Sequence, residues 1–265
     1  MLKIAIAGAT GRMGLSLIRE LSTHPRLELV ACGIRAGTRS LAENHLEQAG
    51  LNFARGFLVE QPRELVAAAD AVIDFTRPEY TMELAALATA QGRILVSGTT
   101  GFSADEKEKL IHAGARARVL WAANMSVGVN VLMALVQQAA KTLSAGYDIE
   151  ILEMHHKHKV DAPSGTALAL GEAAARGRGI DLHDVWVKQR DGHTGARKEG
   201  QIGFATLRGG SVIGEHDVLF AAEGERLVLR HEATDRKIFA QGALKAAEWL
   251  ASKPNGFYTM QDMVA

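Results

Sequence analysis

Short, unbroken apolar runs alternate with segments of helical period through the first half of the sequence. The runs that we predict to be strands cover residues 3–7, 27–32, 71–75, 93–97 and 119–122, and helical spacing covers residues 13–21, 62–69, 78–91 and 103–113. Strands without polar alternation are buried on both faces, as in a parallel sheet covered by helices. The alternation therefore predicts an α/β fold, a Rossmann-like doubly wound parallel sheet.

The pattern changes near residue 126. Helices are predicted over residues 128–144 and 166–176, and strands over residues 148–155, 202–207, 216–222 and 226–231. This order predicts a second, α+β domain containing a mainly antiparallel open sheet. An amphipathic helix over residues 238–250 is expected to pack back on the first domain. We therefore expect one domain from residues 1–126 plus 236–265 and another from residues 127–235, with residues 177–200 as a long mobile loop.

The charges of the chain balance, with 30 basic and 30 acidic side chains among 265 residues. No overall field would draw such a chain to nucleic acid or to an anionic membrane, and no apolar run approaches the ~20 residues of a membrane span. The single cysteine, Cys32, argues against disulfides and Cys-rich zinc sites, as expected in a reducing compartment. We expect a cytoplasmic protein with no nucleic-acid or membrane partner.

A glycine pattern follows the first predicted strand directly and opens the first predicted helix. It reads Gly8-Ala9-Thr10-Gly11-Arg12-Met13-Gly14, with Thr10 where a more familiar fingerprint has glycine. A tight turn alone could require small residues. At the first βα turn of an alternating chain, however, backbone N–H groups and the helix N-terminus can face a pyrophosphate. We predict a dinucleotide site here.

The end of the second predicted strand bears on which dinucleotide is bound. An acid there usually holds the ribose 2′-hydroxyl, whereas an arginine accommodates a 2′-phosphate. This sequence has the apolar Ile34 followed by Arg35, with Arg39 four residues further on. Both arginines could instead be solvated surface charges. We favour a nucleotide role for Arg35 over one for Arg39, and we expect NADPH to be preferred to NADH.

A run of five basic residues, His155 to Lys159, leaves a predicted strand and precedes Ser164-Gly165-Thr166, which begins a helix. A helix N-terminus offers free N–H groups to a carboxylate, while histidine and lysine supply charge and transferable protons. The segment suits a small anionic substrate. A solvated charged loop is the plain alternative. A metal site is disfavoured because lysines repel a dication and no clear carboxylate set completes a zinc shell, so no metal is predicted.

The sequence combines six distinctive segments: the Gly8–Gly14 turn, Asp74-Phe75-Thr76-Arg77-Pro78, Gly98-Thr99-Thr100-Gly101-Phe102, the segments 122–130 and 155–167, and Gly192-His193-Thr194-Gly195. Together they resemble the dihydrodipicolinate reductase family over nearly the whole chain. The resemblance implies an NAD(P)H-dependent oxidoreductase that reduces 4-hydroxy-tetrahydrodipicolinate to tetrahydrodipicolinate, with loss of water, in lysine and diaminopimelate biosynthesis. It also implies a small dicarboxylate substrate and a homotetramer formed through the second domain, which would bind substrate while the first binds the dinucleotide.

Matching positions carry the roles expected from the family. His155 would donate the proton, and His156 and Lys159 would hold or protonate the substrate. Ser164, Gly165 and Thr166 would bind a substrate carboxylate. The cofactor would be bound by Gly8, Ala9, Thr10, Gly11, Arg12, Met13, Arg35, Gly98, Thr99, Thr100, Ala122, Ala123, Asn124 and Met125. Lys157 stands where many members have arginine, and Ile34 where some have glutamate, which bears on NADH binding.

Three other classes compete with this interpretation. A short-chain dehydrogenase needs a Tyr-x-x-x-Lys pair, and none of the three tyrosines has lysine four places on. An aspartate-semialdehyde type dehydrogenase needs a nucleophilic cysteine in its second half, whereas Cys32 lies on an early strand. A nucleotide-sensing regulatory protein without catalysis could keep the Gly8 turn but would have no use for the basic run. Turnover of NADPH with substrate separates that alternative from an enzyme.

Overall fold

The computed structural model describes residues 1–143 and 146–265, which cluster into two compact units. The first unit consists of Met1–Ser126 and Lys237–Met263. The second consists of Val127–Arg236 with Val264–Ala265. Ser144, the last residue of the helix predicted over 128–144, lies outside the described residues.

The first unit is built on a parallel sheet of seven strands. Numbered along the chain, its strands are β1 (Leu2–Ala7), β2 (Leu27–Gly33), β3 (Leu58–Val59), β4 (Ala71–Asp74), β5 (Ile94–Ser97), β6 (Arg118–Trp121) and β12 (Gly256–Tyr258). Their order in the sheet is β12-β6-β5-β4-β1-β2-β3, and neighbouring strands are parallel. The order reverses direction at β1, as in a doubly wound dinucleotide fold, which confirms the predicted fold class.

Helices connect these strands. They are α1 (Arg12–Leu21), α2 (Arg39–Gln48), α3 (Pro62–Ala68), α4 (Pro78–Gln91), α5 (Ala104–Ala113), α9 (Lys237–Ala251) and α10 (Met260–Val264), with a 3₁₀ turn over Asn52–Phe57. Proline begins α3 and α4, where its missing N–H costs nothing. α9 buries a face rich in alanine and contacts α1, β4, β5 and β6. In the described ranges, no helix has both the length and the apolarity needed to cross a membrane.

The second unit packs two long helices against a five-stranded sheet. The elements are α6 (Val127–Thr142), β7 (Asp148–His155), α7 (Gly165–Arg178), α8 (Leu182–Val185), β8 (Trp186–Val187), β9 (Ile202–Arg208), β10 (Gly214–Ala222) and β11 (Glu225–Ala233). The sheet order is β11-β10-β7-β9-β8. Its core is formed by apolar residues of α6, α7, β7, β9 and β10, including Val136, Ile151, Leu170, Phe204 and Phe220.

The α+β class of this unit is confirmed, and its sheet is mixed, with more antiparallel than parallel pairing. β10 pairs antiparallel with β7 and β11, whereas β9 pairs parallel with β7 and β8. A parallel neighbour requires a crossover connection, and α7 lies in the segment that connects β7 to β9. The expected loop over residues 177–200 contains the end of α7, all of α8 and β8. Arg190 and Arg197 bind Glu150 of β7 and tie the rest of this segment to the sheet.

Candidate active site

The sequence-predicted cofactor residues lie at one edge of the parallel sheet. Gly8–Met13 follow β1, Arg35 follows β2, Gly98–Thr100 follow β5 and Ala122–Met125 follow β6. Because all these strands run in the same direction, their carboxyl ends meet at the same edge, and the strand order reverses beside β1. Ligands of open α/β sheets bind at such a point.

The Gly8 turn has the geometry of a phosphate cradle. Gly8 has φ +68°, and a Cβ there would lie 2.8 Å from Thr76 Cγ2. A Cβ on Gly14 would lie 2.3 Å from the Gly8 carbonyl oxygen. Gly11 is the N-cap of α1, and among the described residues no side chain caps this helix. The first-turn N–H groups therefore remain for a ligand, so the turn fits the pyrophosphate of a dinucleotide.

Asp74, at the end of β4, fixes the two loops on one side of the cradle, those after β4 and β5. Its buried carboxylate accepts hydrogen bonds from the hydroxyls of Thr76 (2.5 Å), Ser97 (3.0 Å) and Thr99 (3.0 Å), and from Thr81 (2.5 Å). The Thr76 N–H also donates to Thr99 Oγ1, at 3.1 Å. The sequence alone assigns Asp74 no role beyond its place in a motif. The structure makes it the centre that connects the loops after β4 and β5.

The loops after β5 and β6 are held by close backbone packing. Trp121 Nε1 donates to the Thr99 carbonyl at 2.8 Å. A Cβ on Gly98 would lie 2.1 Å from the Phe75 ring. Met125 is buried, and its carbonyl lies against Gly242 of α9, where a Cβ would be 1.7 Å away. Thr99 and Met125 are thus buried, whereas the neighbouring Thr100 and Ala123 are exposed at the sheet edge.

The two arginines after β2 differ in their surroundings. Arg39 donates to the Leu58 carbonyl at 2.8 Å and lies 3.5 Å from the Glu60 carboxylate. Glu60 also accepts from Gly37 N–H at 2.8 Å, so both charges hold the loop. Arg35 is exposed, and the described residues include no hydrogen bond or ion pair to its guanidinium. Arg35 is therefore the cation of this loop that can meet a ligand.

The end of β7 forms the centre of the second unit's candidate site. Alternate residues of β7 are buried, which places Glu153 and His155 on the same inward face. His155 Nδ1 lies 2.5 Å from Glu153 Oε2, and Arg208 binds the same carboxylate through two nitrogens at 2.8 and 2.9 Å. Burial raises the pKa of Glu153, but hydrogen bonds from His155, Arg208 and the Ser164 N–H outweigh it and lower that pKa to about 2.

A second buried histidine packs on the first. The rings of His155 and His216 meet edge to face, with centroids 5.1 Å apart. Burial, with the charge of His155, lowers the pKa of His216 to about 4, so its ring is neutral at pH 7. His216 Nε2 lies 3.1 Å from Ser164 Oγ, and the Ala167 N–H donates to the same hydroxyl at 3.1 Å. Ser164, predicted to bind substrate, is therefore buried as the N-cap of α7.

The remaining predicted substrate residues surround the start of α7. Lys159 Nζ donates to Asp161 Oδ1 at 2.7 Å. His156 has a buried Nδ1 with no partner among the described residues, and burial together with the nearby charge of Arg236 lowers its pKa. The first helical residue, Gly165, is exposed, and Thr166 is half buried. The site combines several cations with a helix N-terminus, an arrangement that binds an anion.

Three site residues were not identified from the sequence, namely Glu153, Arg208 and His216. Glu153 had a detectable signal, because it lies two positions before His155 on a strand, with one residue between them, and side chains at that spacing share a face. Arg208 and His216 come from β9 and β10, more distant in the chain, and no local motif marks them. The described part of the chain contains no group of three or more His, Cys, Asp or Glu side chains suited to a metal ion.

Comparisons with known proteins support the same assignment in both units. Family models described as dihydrodipicolinate reductase, N-terminus, and dihydrodipicolinate reductase, C-terminus, match residues 2–125 and 128–264. A protein of Rhizobium meliloti (strain 1021) named 4-hydroxy-tetrahydrodipicolinate reductase is 55% identical over 99% of this chain and 97% of its own length. A protein of the same name from Agrobacterium fabrum is 53% identical over 99% of this chain and 96% of its own length.

A solved structure supports the fold independently. The dipicolinate-bound dihydrodipicolinate reductase from Paenisporosarcina sp. TG-14 superimposes with a TM-score of 0.80, at 24% identity, over 99% of both chains. The family models cover nearly all of the sequence and confirm the resemblance drawn from its motifs. The chain therefore belongs to the dihydrodipicolinate reductase family.

Proposed function

We propose that this chain reduces 4-hydroxy-tetrahydrodipicolinate to tetrahydrodipicolinate, with oxidation of NAD(P)H and loss of water, in lysine and diaminopimelate biosynthesis. The observation that carries the proposal is the end of β7, where His155 is held by Glu153 beside several cations and the start of α7. The cations and the helix N-terminus can bind the carboxylates of a small dicarboxylate substrate, and the histidine can supply a proton to it. The names of the relatives and the phosphate cradle in the first unit agree with it.

The first unit binds the cofactor. The Gly8 turn and the start of α1 receive the pyrophosphate, because their N–H groups and the helix dipole favour an anion. The exposed parts of the loops after β5 and β6 contact the rest of the dinucleotide. When bound, the nicotinamide supplies the hydride, and the protein supplies binding and orientation.

The second unit binds the substrate and supplies the proton. The substrate carboxylates meet the N-terminus of α7 at Gly165 and Thr166, and the ammonium of Lys159. His156 can donate to the same ligand from Nδ1, for which the described residues supply no partner. His155 Nε2 carries the proton that the product needs, because Nδ1 is occupied by Glu153. Histidine suits this role because its ordinary pKa lies near neutral pH.

NADPH oxidation with freshly generated dihydrodipicolinate synthase product tests this proposal. His155→Ala and Lys159→Ala should each lower kcat by about 10² or more, the usual worth of a general acid, with little change in cofactor affinity. Lys198→Ala, which replaces an exposed lysine of the same unit, is the matched control and should keep wild-type turnover. Nucleotide binding without turnover in the unmodified protein would support the regulatory alternative. Wild-type turnover of a variant that carries both His155→Ala and Lys159→Ala would make the basic run a solvated loop.

We propose that NADPH is preferred to NADH. The exposed Arg35 guanidinium can form charge-assisted hydrogen bonds to a 2′-phosphate, and the apolar Ile34 replaces the acid that would repel it. Glu60, the nearby acid, is already engaged by Gly37 N–H and Arg39 and holds the loop rather than a ribose. We expect a preference of about tenfold from an exposed contact of this kind.

We propose that the protein is a cytoplasmic homotetramer assembled through the second unit. Strand β11 lies at the edge of its sheet and exposes Leu227 (41%) and Val228 (49%), and Leu135 of α6 is 51% exposed. α6 and β11 border an apolar depression of about 310 Å³. Exposed apolar side chains along an edge strand invite pairing with another chain, and a closed symmetric oligomer covers them. The single cysteine is buried and free, which suits a reducing compartment.

A further inference from the structure

We propose that Glu153 is a positioning residue that fixes the tautomer of His155 and so directs Nε2 to the substrate, a role that rests on the proposed function of His155 as proton donor. A carboxylate buried to 1% exposure is costly unless its oxygens are fully hydrogen-bonded. The position faces a core where an apolar side chain would fit the strand pattern. The hydrogen bonds of the Glu153 carboxylate explain why a charged residue occupies this buried position.

The two carboxylate oxygens of Glu153 have different partners. Oε1 accepts from the Ser164 N–H (3.0 Å), Thr206 Oγ1 (3.3 Å) and Arg208 Nη2 (2.9 Å). Oε2 accepts from Arg208 Nη1 (2.8 Å) and His155 Nδ1 (2.5 Å). An ionised carboxylate only accepts hydrogen bonds, so His155 must carry its proton on Nδ1. In the neutral ring Nε2 is then the lone-pair nitrogen, and in the charged ring Nε2–H is the free donor.

The side of the ring that carries Nε2 is kept open. Gly214 of β10 lies beside this nitrogen, and a Cβ there would be 3.0 Å from Nε2. Glycine therefore leaves this nitrogen room for a ligand, while Glu153 occupies the opposite nitrogen.

Arg208 connects this histidine to the substrate loop. Besides its two bonds to Glu153, its guanidinium donates to the Asp161 carbonyl at 2.6 Å. Glu153 also accepts from Ser164, the N-cap of α7. The Glu153 carboxylate thus fixes the position of the His155 ring and of the start of α7, and through Arg208 that of the loop that contains Asp161. Arg208 also balances the charge of the carboxylate.

Glu153→Gln gives a sharp prediction, because a carboxylate accepts hydrogen bonds at both oxygens whereas an amide accepts at its oxygen and donates from its NH₂. Three donors converge on the Oε1 side, so the amide oxygen should take that side and the NH₂ should face His155. Nδ1 must then accept, which moves the neutral ring to the Nε2–H tautomer. The NH₂ also opposes a protonated Nδ1, so kcat should fall by at least about tenfold, and at most by the loss that His155→Ala produces.

The measurements are ¹⁵N NMR of the His155 ring and the pH profile of kcat. The wild type should show the Nδ1–H tautomer and Glu153→Gln the Nε2–H tautomer, with the alkaline limb of the profile moved to lower pH. The other titratable or charged groups near the ring are His156, Lys159, Arg208 and His216. Glu153→Asp keeps the charge and should restore the Nδ1–H tautomer with part of kcat.

Glu150→Gln is the matched control. Glu150 lies on the same strand and binds Arg190 and Arg197, but it makes no contact with His155 that the described residues show. It should cost stability and leave both the tautomer and the pH profile unchanged. A folded Glu153→Gln enzyme with the wild-type pH profile and an unchanged His155 tautomer would overturn the inference. Wild-type turnover of His155→Ala would instead overturn the donor role itself, because the tautomer is measured without turnover.

Discussion

Mild acid should weaken the second unit, because His216 is buried there as a neutral ring. Burial, reinforced by the charge of His155, lowers its pKa from 6.5 to about 4. The unfolded chain therefore takes up a proton near pH 6.5, whereas the folded chain does so only near pH 4. Between these values the unfolded state binds more protons, so the free energy of unfolding falls as the pH falls.

The size of the effect follows from the two pKa values. For one group with pKa 6.5 unfolded and about 4 folded, proton linkage lowers the free energy of unfolding by about 2 kcal/mol between pH 7 and pH 5. Glu153 adds little over this range. Its pKa is lowered to about 2, so its stabilising contribution is complete above pH 5 and is lost as the pH falls from about 4.5 to 2.

Urea unfolding followed by far-UV circular dichroism, at fixed protein concentration and at pH 7, 6 and 5, measures this loss. His216→Gln removes the titration while its amide can still bond to Ser164 Oγ, so this variant should lose about 2 kcal/mol less than wild type between pH 7 and 5. His45→Gln, at an exposed histidine of α2, is the control and should behave as wild type. Equal losses in wild type and His216→Gln would refute the argument.

Two further predictions test the cofactor preference and the assembly. Arg35→Ala should raise the KM for NADPH about tenfold more than that for NADH, since an exposed charge-assisted contact is lost, and Ile34→Glu should shift preference toward NADH. An equal or greater kcat/KM with NADH in the unmodified enzyme would contradict the assignment of Arg35. Light scattering at micromolar concentration should return four times the chain mass of 28.4 kDa, and Val228→Lys, which puts a charge on the exposed edge strand, should return a smaller species. A fully active, stable wild-type monomer would exclude the proposed tetramer.

The sequence predicts best those elements whose signals are local. Helix α4 has its predicted bounds, Pro78–Gln91, because proline begins it and Gly92, with φ +62°, ends it. Strand β7 also has its predicted bounds, although polar and apolar residues alternate only over residues 148–151 and the buried positions beyond them hold Glu153 and His155. β3 and β12, of two and three residues, are too short to show a period, and they exist through pairing with β2 and β6. α2 was missed because it buries only Ala42 and Leu46.

The same distinction applies to the candidate site. The Gly8 turn and the His155 run are contiguous, so their chemistry can be read along the chain. The partners that give them geometry come from elsewhere. Arg208 and His216 reach the end of β7 from neighbouring strands, and Thr76 reaches Gly8 from the loop after β4. Strand order determines which distant residues meet, and no motif in the sequence records it.

The packing of α9 has a consequence for the order in which the chain folds during synthesis. Strands β4, β5 and β6 emerge from the ribosome early, but the helix that covers them is made more than 100 residues later. Until then, the surface that Ala243, Leu244 and Ala247 will bury stays uncovered. The continuous segment Val127–Arg236 is complete first. The first unit can therefore complete its core only after α9 has been made, and until then its uncovered strands offer apolar surface to chaperones.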